Sequence, residues 1–154
     1  MLSEGAQVPD AALTDTDGES FTLGRYRGKP LILYFYPKAD TPGCTNEAKD
    51  FSTLIEEFKK QGAAVLGVSK DPVKKLLKFI DKYELKVDLA SDEASGFCDA
   101  FGTWVEKSLY GRNYMGIARA TFLIDEGGKI VRVWPKVKVA GHAQDVLEAV
   151  KGLG

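Results

Sequence analysis

The sequence predicts an α/β fold, a central mixed β-sheet flanked by helices on both faces. Three observations carry that expectation. Apolar runs rich in branched and aromatic residues, such as Leu31 to Tyr36, Ala63 to Ser69 and Ala120 to Asp125, read as strands. Segments with apolar residues at helical spacing alternate with them. The chain closes with a glycine-turned hairpin and one more helix, so parallel and antiparallel neighbours share one sheet.

In order, Gly5 to Thr14 reads as an extended entry segment, Asp15 to Gly18 as a turn and Phe21 to Leu23 as a short strand. Tyr26 to Pro30 loops into the central strand, Leu31 to Tyr36, which the turn residues Pro37, Asp40, Pro42 and Gly43 then break. A helix follows, with Phe51, Leu54, Ile55 and Phe58 at i, i+3, i+4 and i+7, and Gly62 as its terminator. Ala63 to Ser69 reads as a buried strand. Asp71 and Pro72 start the next helix as N-cap and first helical residue, with Val73, Leu76, Leu77 and Ile80 in helical register. Leu85 to Leu89 suits a short strand before a turn at Ser91 and Asp92. Ala94 to Phe101 suits a short helix with Phe97, Cys98 and Phe101 on one face. Thr103 to Gly116 reads as irregular. The terminal hairpin runs through Glu126, Gly127 and Gly128 into Lys129 to Trp134, and the last helix, Ala143 to Lys151, buries Val146, Leu147 and Val150. With no linker, repeat or low-complexity segment, residues 1–154 form a single domain.

Composition excludes several classes of function. A chain of 154 residues with 44% hydrophobic content can bury a sizeable core. Net charge is −1, from 21 Lys+Arg against 22 Asp+Glu, and no basic block supplies the electrostatic footprint of a nucleic-acid binder. The apolar runs are too short to span a bilayer, and the start, Met1-Leu2-Ser3-Glu4, is unlike a signal peptide. Two cysteines cannot build a secreted disulfide scaffold, and no Cys/His spacing suggests zinc. The expected address is a reducing cytoplasm.

The stretch Tyr34 to Phe51, YFYPKADTPGCTNEAKDF, carries the chemistry. Cys44 stands where loop becomes helix, beside free backbone N–H groups and the positive end of the helix dipole, which favour a thiolate over a thiol. A thiol of ordinary pKa, about 8.5, is only a few per cent ionised at neutral pH, and lowering that value by about two units makes the anion dominant. Thr41, in the same tight loop, can place a hydroxyl close to the sulfur.

Pro37-x-x-x-Thr41-x-x-Cys44 resembles the active-site signature of the peroxiredoxins, and the longer run is similar to their bacterioferritin-comigratory (Q-type) branch. The likeness extends from Gly5-x-x-Val8-Pro9-Asp10 to Arg119-Ala120-Thr121-Phe122-Leu123-Ile124-Asp125. It implies a thioredoxin-like fold and a thiol-dependent peroxidase that reduces hydrogen peroxide and organic hydroperoxides through a Cys44 sulfenic acid. It also implies roles: Pro37 shields the sulfur, Thr41 holds the peroxide and Arg119 polarises it. No metal or organic cofactor enters such a reaction. The implied partners are the hydroperoxide and an external thiol reductant such as thioredoxin, glutaredoxin or glutathione, acting on a monomer.

The chain departs from that branch where a resolving cysteine is expected. Lys49 stands five residues after Cys44, and Pro72 to Tyr83 contains no cysteine. Cys98, between Phe97 and Phe101, reads as a buried small residue, which gives a one-cysteine enzyme. The alternative is that helix unwinding brings its Cα within about 7 Å of that of Cys44 to form a disulfide. Two other functions share these residues. A thiol–disulfide oxidoreductase lacks its usual Cys-x-x-Cys pair here. A redox sensor, relay or holdase would pass oxidation from Cys44 to a partner protein.

Other side chains have plainer readings. Glu47, in the first helical turn, is expected to stabilise the helix dipole, and Lys49 to be a solvated charge. His142 lacks the oriented partner of a catalytic base. Trp104, Tyr110 and Trp134 are expected to pack on the core, and Lys136 and Lys138 to guard an exposed edge.

Overall fold

The computed structural model describes residues 1–94 and 96–153. The elements are β1 (Leu13–Thr14), β2 (Ser20–Phe21), a 3-10 turn (Leu23–Tyr26), β3 (Leu31–Phe35), α1 (Pro42–Thr53), α2 (Ile55–Lys60), β4 (Ala64–Ser69) and α3 (Val73–Tyr83). Then come β5 (Asp88–Ser91), α4 (Gly96–Phe101), β6 (Trp104–Leu109), β7 (Arg112–Ile117), β8 (Ala120–Ile124), β9 (Ile130–Trp134) and α5 (His142–Lys151). Seven strands form one mixed sheet in the order β2-β1-β5-β4-β3-β8-β9. Strand β3 runs parallel to β4 and antiparallel to β8, which makes it the seam between the two halves.

Every residue of β3 is buried, because helices and loops cover both faces of the sheet. Side-chain alternation along the strand sorts the core into two layers. Ile32 and Tyr34 pack with Cys44, Phe51, Phe58, Leu76, Phe79 and Val146, under α1, α2, α3 and α5. Leu31, Leu33 and Phe35 pack on the other side with Phe97, Cys98, Phe101 and Phe122, under α4 and the N-terminal segment. The two cysteines therefore lie on opposite faces of the sheet, and both are free.

Several local expectations need correction. The helix after Cys44 is broken at Leu54, whose N–H is shared between the carbonyls of Asp50 and Phe51 at 3.3 and 3.2 Å. Thr53 donates its hydroxyl to the Lys49 carbonyl at 2.9 Å, a back-bond that bends helices at such positions. Asp71 does not cap α3. Its carboxylate instead accepts from the Ala39 amide and the Ser69 hydroxyl, and Pro72 takes the cap position. Leu76 and Phe79 carry the buried face of α3, while Leu77 is exposed. The early strand ends at Phe21, with a 3-10 turn where Leu23 was expected to extend it, and the strand expected over Leu85 to Leu89 forms instead as β5, Asp88–Ser91. Of the helix expected over Ala94 to Phe101, Gly96–Phe101 forms, Ala94 lies in a turn and residue 95 falls outside the described residues.

The largest difference is at 103–116, expected to be irregular. Strands β6 and β7 pair there as a separate two-stranded ribbon. Its two-residue loop, Tyr110-Gly111, has positive φ at both positions (51° and 78°), as a hairpin turn that matches strand twist requires. Tyrosine in place of the usual Asn or Asp hides that signal in the sequence. Tyr110 is 96% exposed rather than packed on the core.

Candidate active site

The loop after β3 is pinned from two sides. Asp40, a non-glycine residue at φ 61°, has its carboxylate held by the Tyr83 hydroxyl and by the Lys82 ammonium at 3.0 Å, both from α3. Those bonds, Tyr83 first, hold its carboxyl below the usual carboxylate range. An exposed ion pair of this kind adds little stability by itself, so its effect here is to fix the loop. The Ala39 amide donates to Asp71 Oδ2 at 2.7 Å, and Ser69 Oγ orients the same oxygen at 2.8 Å. Loop, β4 end and α3 thus form one unit.

That unit sets the start of α1. Thr41 is its N-cap, with extended backbone (φ −100°, ψ 157°), and Pro42 is its first residue. The Thr41 hydroxyl donates to the Lys38 carbonyl at 2.8 Å, so it does not cap the helix and keeps its lone pairs for an incoming donor. Pro42 has no N–H, and helix geometry leaves the amides of Gly43 and Cys44 without intrahelical acceptors. Cys44 sits beside them, 1% exposed, against Tyr34 and Tyr36.

Arg119 reaches this point because of sheet register. Phe35, the last residue of β3, pairs with Ala120, the first of β8, so position 119 falls where the Cys44 loop begins. Its guanidinium is forked: Nη2 donates to Cys44 Sγ at 3.2 Å and Nη1 to Glu47 Oε1 at 2.7 Å. Burial opposes the charge on Arg119, and Glu47 and Cys44 more than offset it, raising its pKa. Gly43 leaves room for this approach, since a Cβ there would lie 3.2 Å from Arg119 Nη2.

Glu47 is the site residue whose part the sequence concealed. It is 1% exposed and paired with Arg119, and since α1 starts at Pro42 it lies beyond the first turn, where it was expected to serve the helix dipole. Burial outweighs the pull of Arg119 and pushes its carboxyl up to about 7, and Oε2 has no hydrogen-bond partner. The signal was available in principle: Cys44, Glu47, Ala48 and Phe51 share one helical stripe, and an acid on a buried stripe needs a partner.

Of the four residues singled out from the sequence, Cys44 and Arg119 meet at 3.2 Å, while Thr41 stands three residues before Cys44 at the cap of α1 with its hydroxyl on the Lys38 carbonyl. Pro37 is exposed and edges a cleft of about 500 Å³ whose other walls include Lys38, Lys70, Trp104, Lys107 and Ile117. Cys98 stands apart. Its thiol is pushed up by burial and by a hydrogen bond to Asp92, and its amide donates to Asp92 Oδ2 at 2.8 Å. His142 is buried at the start of α5, with Nε2 2.8 Å from Thr121 Oγ1, and burial lowers its pKa to about 4. It is neutral at physiological pH. Lys136 and Lys138 follow the end of the edge strand β9, and Val137 between them donates to the Arg119 carbonyl at 3.1 Å.

A sulfur held by a guanidinium at a helix start with free backbone amides is equipped to attack an electrophile and to stabilise an oxyanion leaving from it. Among the described residues no cluster of His, Cys, Asp or Glu could hold a metal ion.

Comparison with known proteins gives the same picture. The AhpC/TSA family matches residues 5–133. A putative peroxiredoxin bcp of Coxiella burnetii is 48% identical over 146 residues, covering 95% of this chain and 97% of its own length. Peroxiredoxin Bcp of Bacillus subtilis is 42% identical over 149 residues, covering 97% and 95%. Among solved structures, the Xanthomonas campestris bacterioferritin comigratory protein, studied for its alkyl peroxide reduction activity, superposes with a TM-score of 0.89 at 44% identity, covering 95% of this chain and 96% of that one. Peroxidoxin BcpB of Mycobacterium tuberculosis gives a TM-score of 0.88 at 33% identity, covering 100% and 99%.

Proposed function

Because this chain belongs to the AhpC/TSA family and is a thiol-dependent peroxidase with a thioredoxin-like fold, we propose that Cys44 is its peroxidatic sulfur. The observation that carries the reading is the forked Arg119, with one amino group on Sγ and the other on Glu47. The thiolate attacks one oxygen of the hydroperoxide. The S–O bond forms as the O–O bond breaks, and the second oxygen leaves as hydroxide or alkoxide and takes a proton to become water or an alcohol. Thr41, already donating to Lys38, accepts from the peroxide O–H, while Arg119 and the Gly43 and Cys44 amides face the oxygen that gains charge. Pro37 narrows access from solvent.

The product on the enzyme is a Cys44 sulfenic acid. Cys98, across the sheet, is not its partner, so an external thiol reduces it: the first thiol forms a mixed disulfide and releases water, and a second displaces the enzyme thiol. Hydrogen peroxide and organic hydroperoxides are the substrates, the protein works as a monomer, and the reducing cytoplasm supplies the thiol. The test is steady-state peroxide consumption with thioredoxin, glutaredoxin and glutathione offered separately. Turnover with one of them supports the enzyme reading. Stoichiometric consumption followed by arrest, with a partner protein trapped on Cys44, would place the chain among redox relays instead.

A further inference from the structure

The two cysteines lie on opposite faces of the sheet, so the thiol that reduces Cys44 comes from outside and needs a place to bind. A second cleft, of about 540 Å³, has the loop that carries Thr41 as one wall and α3 as the other. That volume is in the range of small-molecule sites. We propose that this cleft binds the reductant, and that the reductant is a small thiol bearing carboxylates. The proposal rests on the peroxidatic reading of Cys44 and names the class of its thiol.

Charge sets the cleft apart. The chain has a net charge of −1, yet the ammonium groups of Lys38, Lys75, Lys78 and Lys82 all line this one cleft. The i, i+3, i+7 spacing puts Lys75, Lys78 and Lys82 on a single stripe of α3. The carboxylate in the lining, Asp40, is already taken by Lys82 and by the Tyr83 hydroxyl. Asp81, the one acid of α3, does not line the cleft. Among the described residues, Lys38, Lys75 and Lys78 have no carboxylate within ion-pair distance. Lys49 of α1 adds to the field, with its ammonium 6.0 Å from the centroid of the Tyr83 ring. A cleft lined by one sign of charge concentrates small ions of the other sign and speeds their arrival.

Of the two co-reactants, the thiol is the one that this cleft suits. Hydrogen peroxide is uncharged and far smaller, and lysines give it no anchor. Thr41 caps the helix of Cys44 and lines the cleft, so an anion held by the lysines lies beside the start of that helix. The thiol sulfur attacks the sulfenic sulfur of Cys44. An S–S bond forms as the S–O bond breaks, and the hydroxide leaves with the thiol's proton as water. A peptide thiol such as glutathione, with two carboxylates to one ammonium, has the charge that the lysines require.

The test compares the full chain carrying Cys98→Ala with the same chain carrying Lys75→Gln and Lys78→Gln as well, both at exposed positions. Cys44 is oxidised with stoichiometric hydrogen peroxide and then mixed with mercaptoacetate, mercaptoethanol or cysteamine. The mixed disulfide is quantified by mass after quenching, and rates are compared per thiolate. In the first chain the anionic thiol reacts about tenfold faster than the neutral one and the cationic thiol slowest. The order is lost in the glutamine chain and in about 1 M salt. Equal rates for the anionic and neutral thiols, or an advantage that survives the glutamines, overturn the proposal. Binding is read separately by an NMR titration with S-methylglutathione, which carries the same charges and cannot react. Amide shifts at Thr41 and along α3 are expected, and they disappear in the glutamine chain. No shifts there overturn the proposal. If S-methylglutathione binds but peroxide leaves no sulfenic acid on Cys44, the peroxidatic reading is what fails.

Discussion

Replacing Glu47 by glutamine removes a buried ionisable carboxyl while nearly preserving shape, and the consequence for stability can be worked out. The carboxyl has a reference value of 4.5 and is pushed up to about 7 in the fold. The folded state therefore holds the proton more tightly than the unfolded chain. The stabilisation from that proton is complete below 4.5 and is lost as pH rises through 7. The gap corresponds to about 3 kcal/mol. Urea unfolding of both proteins from pH 4.5 to 8 measures it, and the difference between them cancels titrations they share, such as that of Asp40. The parent should lose about 3 kcal/mol relative to Glu47→Gln across that range. A difference that stays flat would mean that Glu47 ionises as it does in water, and the buried-acid account of the site would be wrong.

Further outcomes follow from the same geometry. Arg119→Met should slow Cys44 oxidation by about two to three orders of magnitude, the usual loss when one donor to a developing oxyanion is removed. The same variant strands Glu47 in the core, so unfolding experiments should show it less stable at pH 8 than at pH 5 relative to the parent. Cys98→Ala should keep peroxidase turnover with an external thiol, and whole-protein mass after stoichiometric peroxide should match the parent's apart from the substitution. A disulfide-sized loss of mass in the parent alone would show that the sheet opens far enough to join the two cysteines.

Much of this was legible in the chain because local physics decided it. The apolar run from Leu31, the proline and glycine breaks after it and the helical spacing from Cys44 onward agree with one another, as do the Gly127-Gly128 turn and the final helix. The Tyr110-Gly111 hairpin was hidden by a tyrosine in a turn position that usually carries Asn or Asp. Asp71 looked like a cap and is instead a buried acceptor for the active-site loop, a role set by tertiary contacts. Arg119 could be placed only by resemblance, since its approach to Cys44 depends on the pairing of β3 with β8. Glu47 carried a readable signal, its place on the Cys44–Phe51 stripe, and with α1 starting at Pro42 it falls beyond the first turn, the one in which an acid serves the helix dipole.

The most direct test of the central claim is a single-turnover measurement on the Cys98→Ala chain, mixing it with hydrogen peroxide and trapping the product with dimedone. The account predicts one trapped sulfenic acid per chain, on Cys44, formed more than roughly a thousandfold faster than on free cysteine. A rate like that of free cysteine, or a product on any other residue, would contradict it.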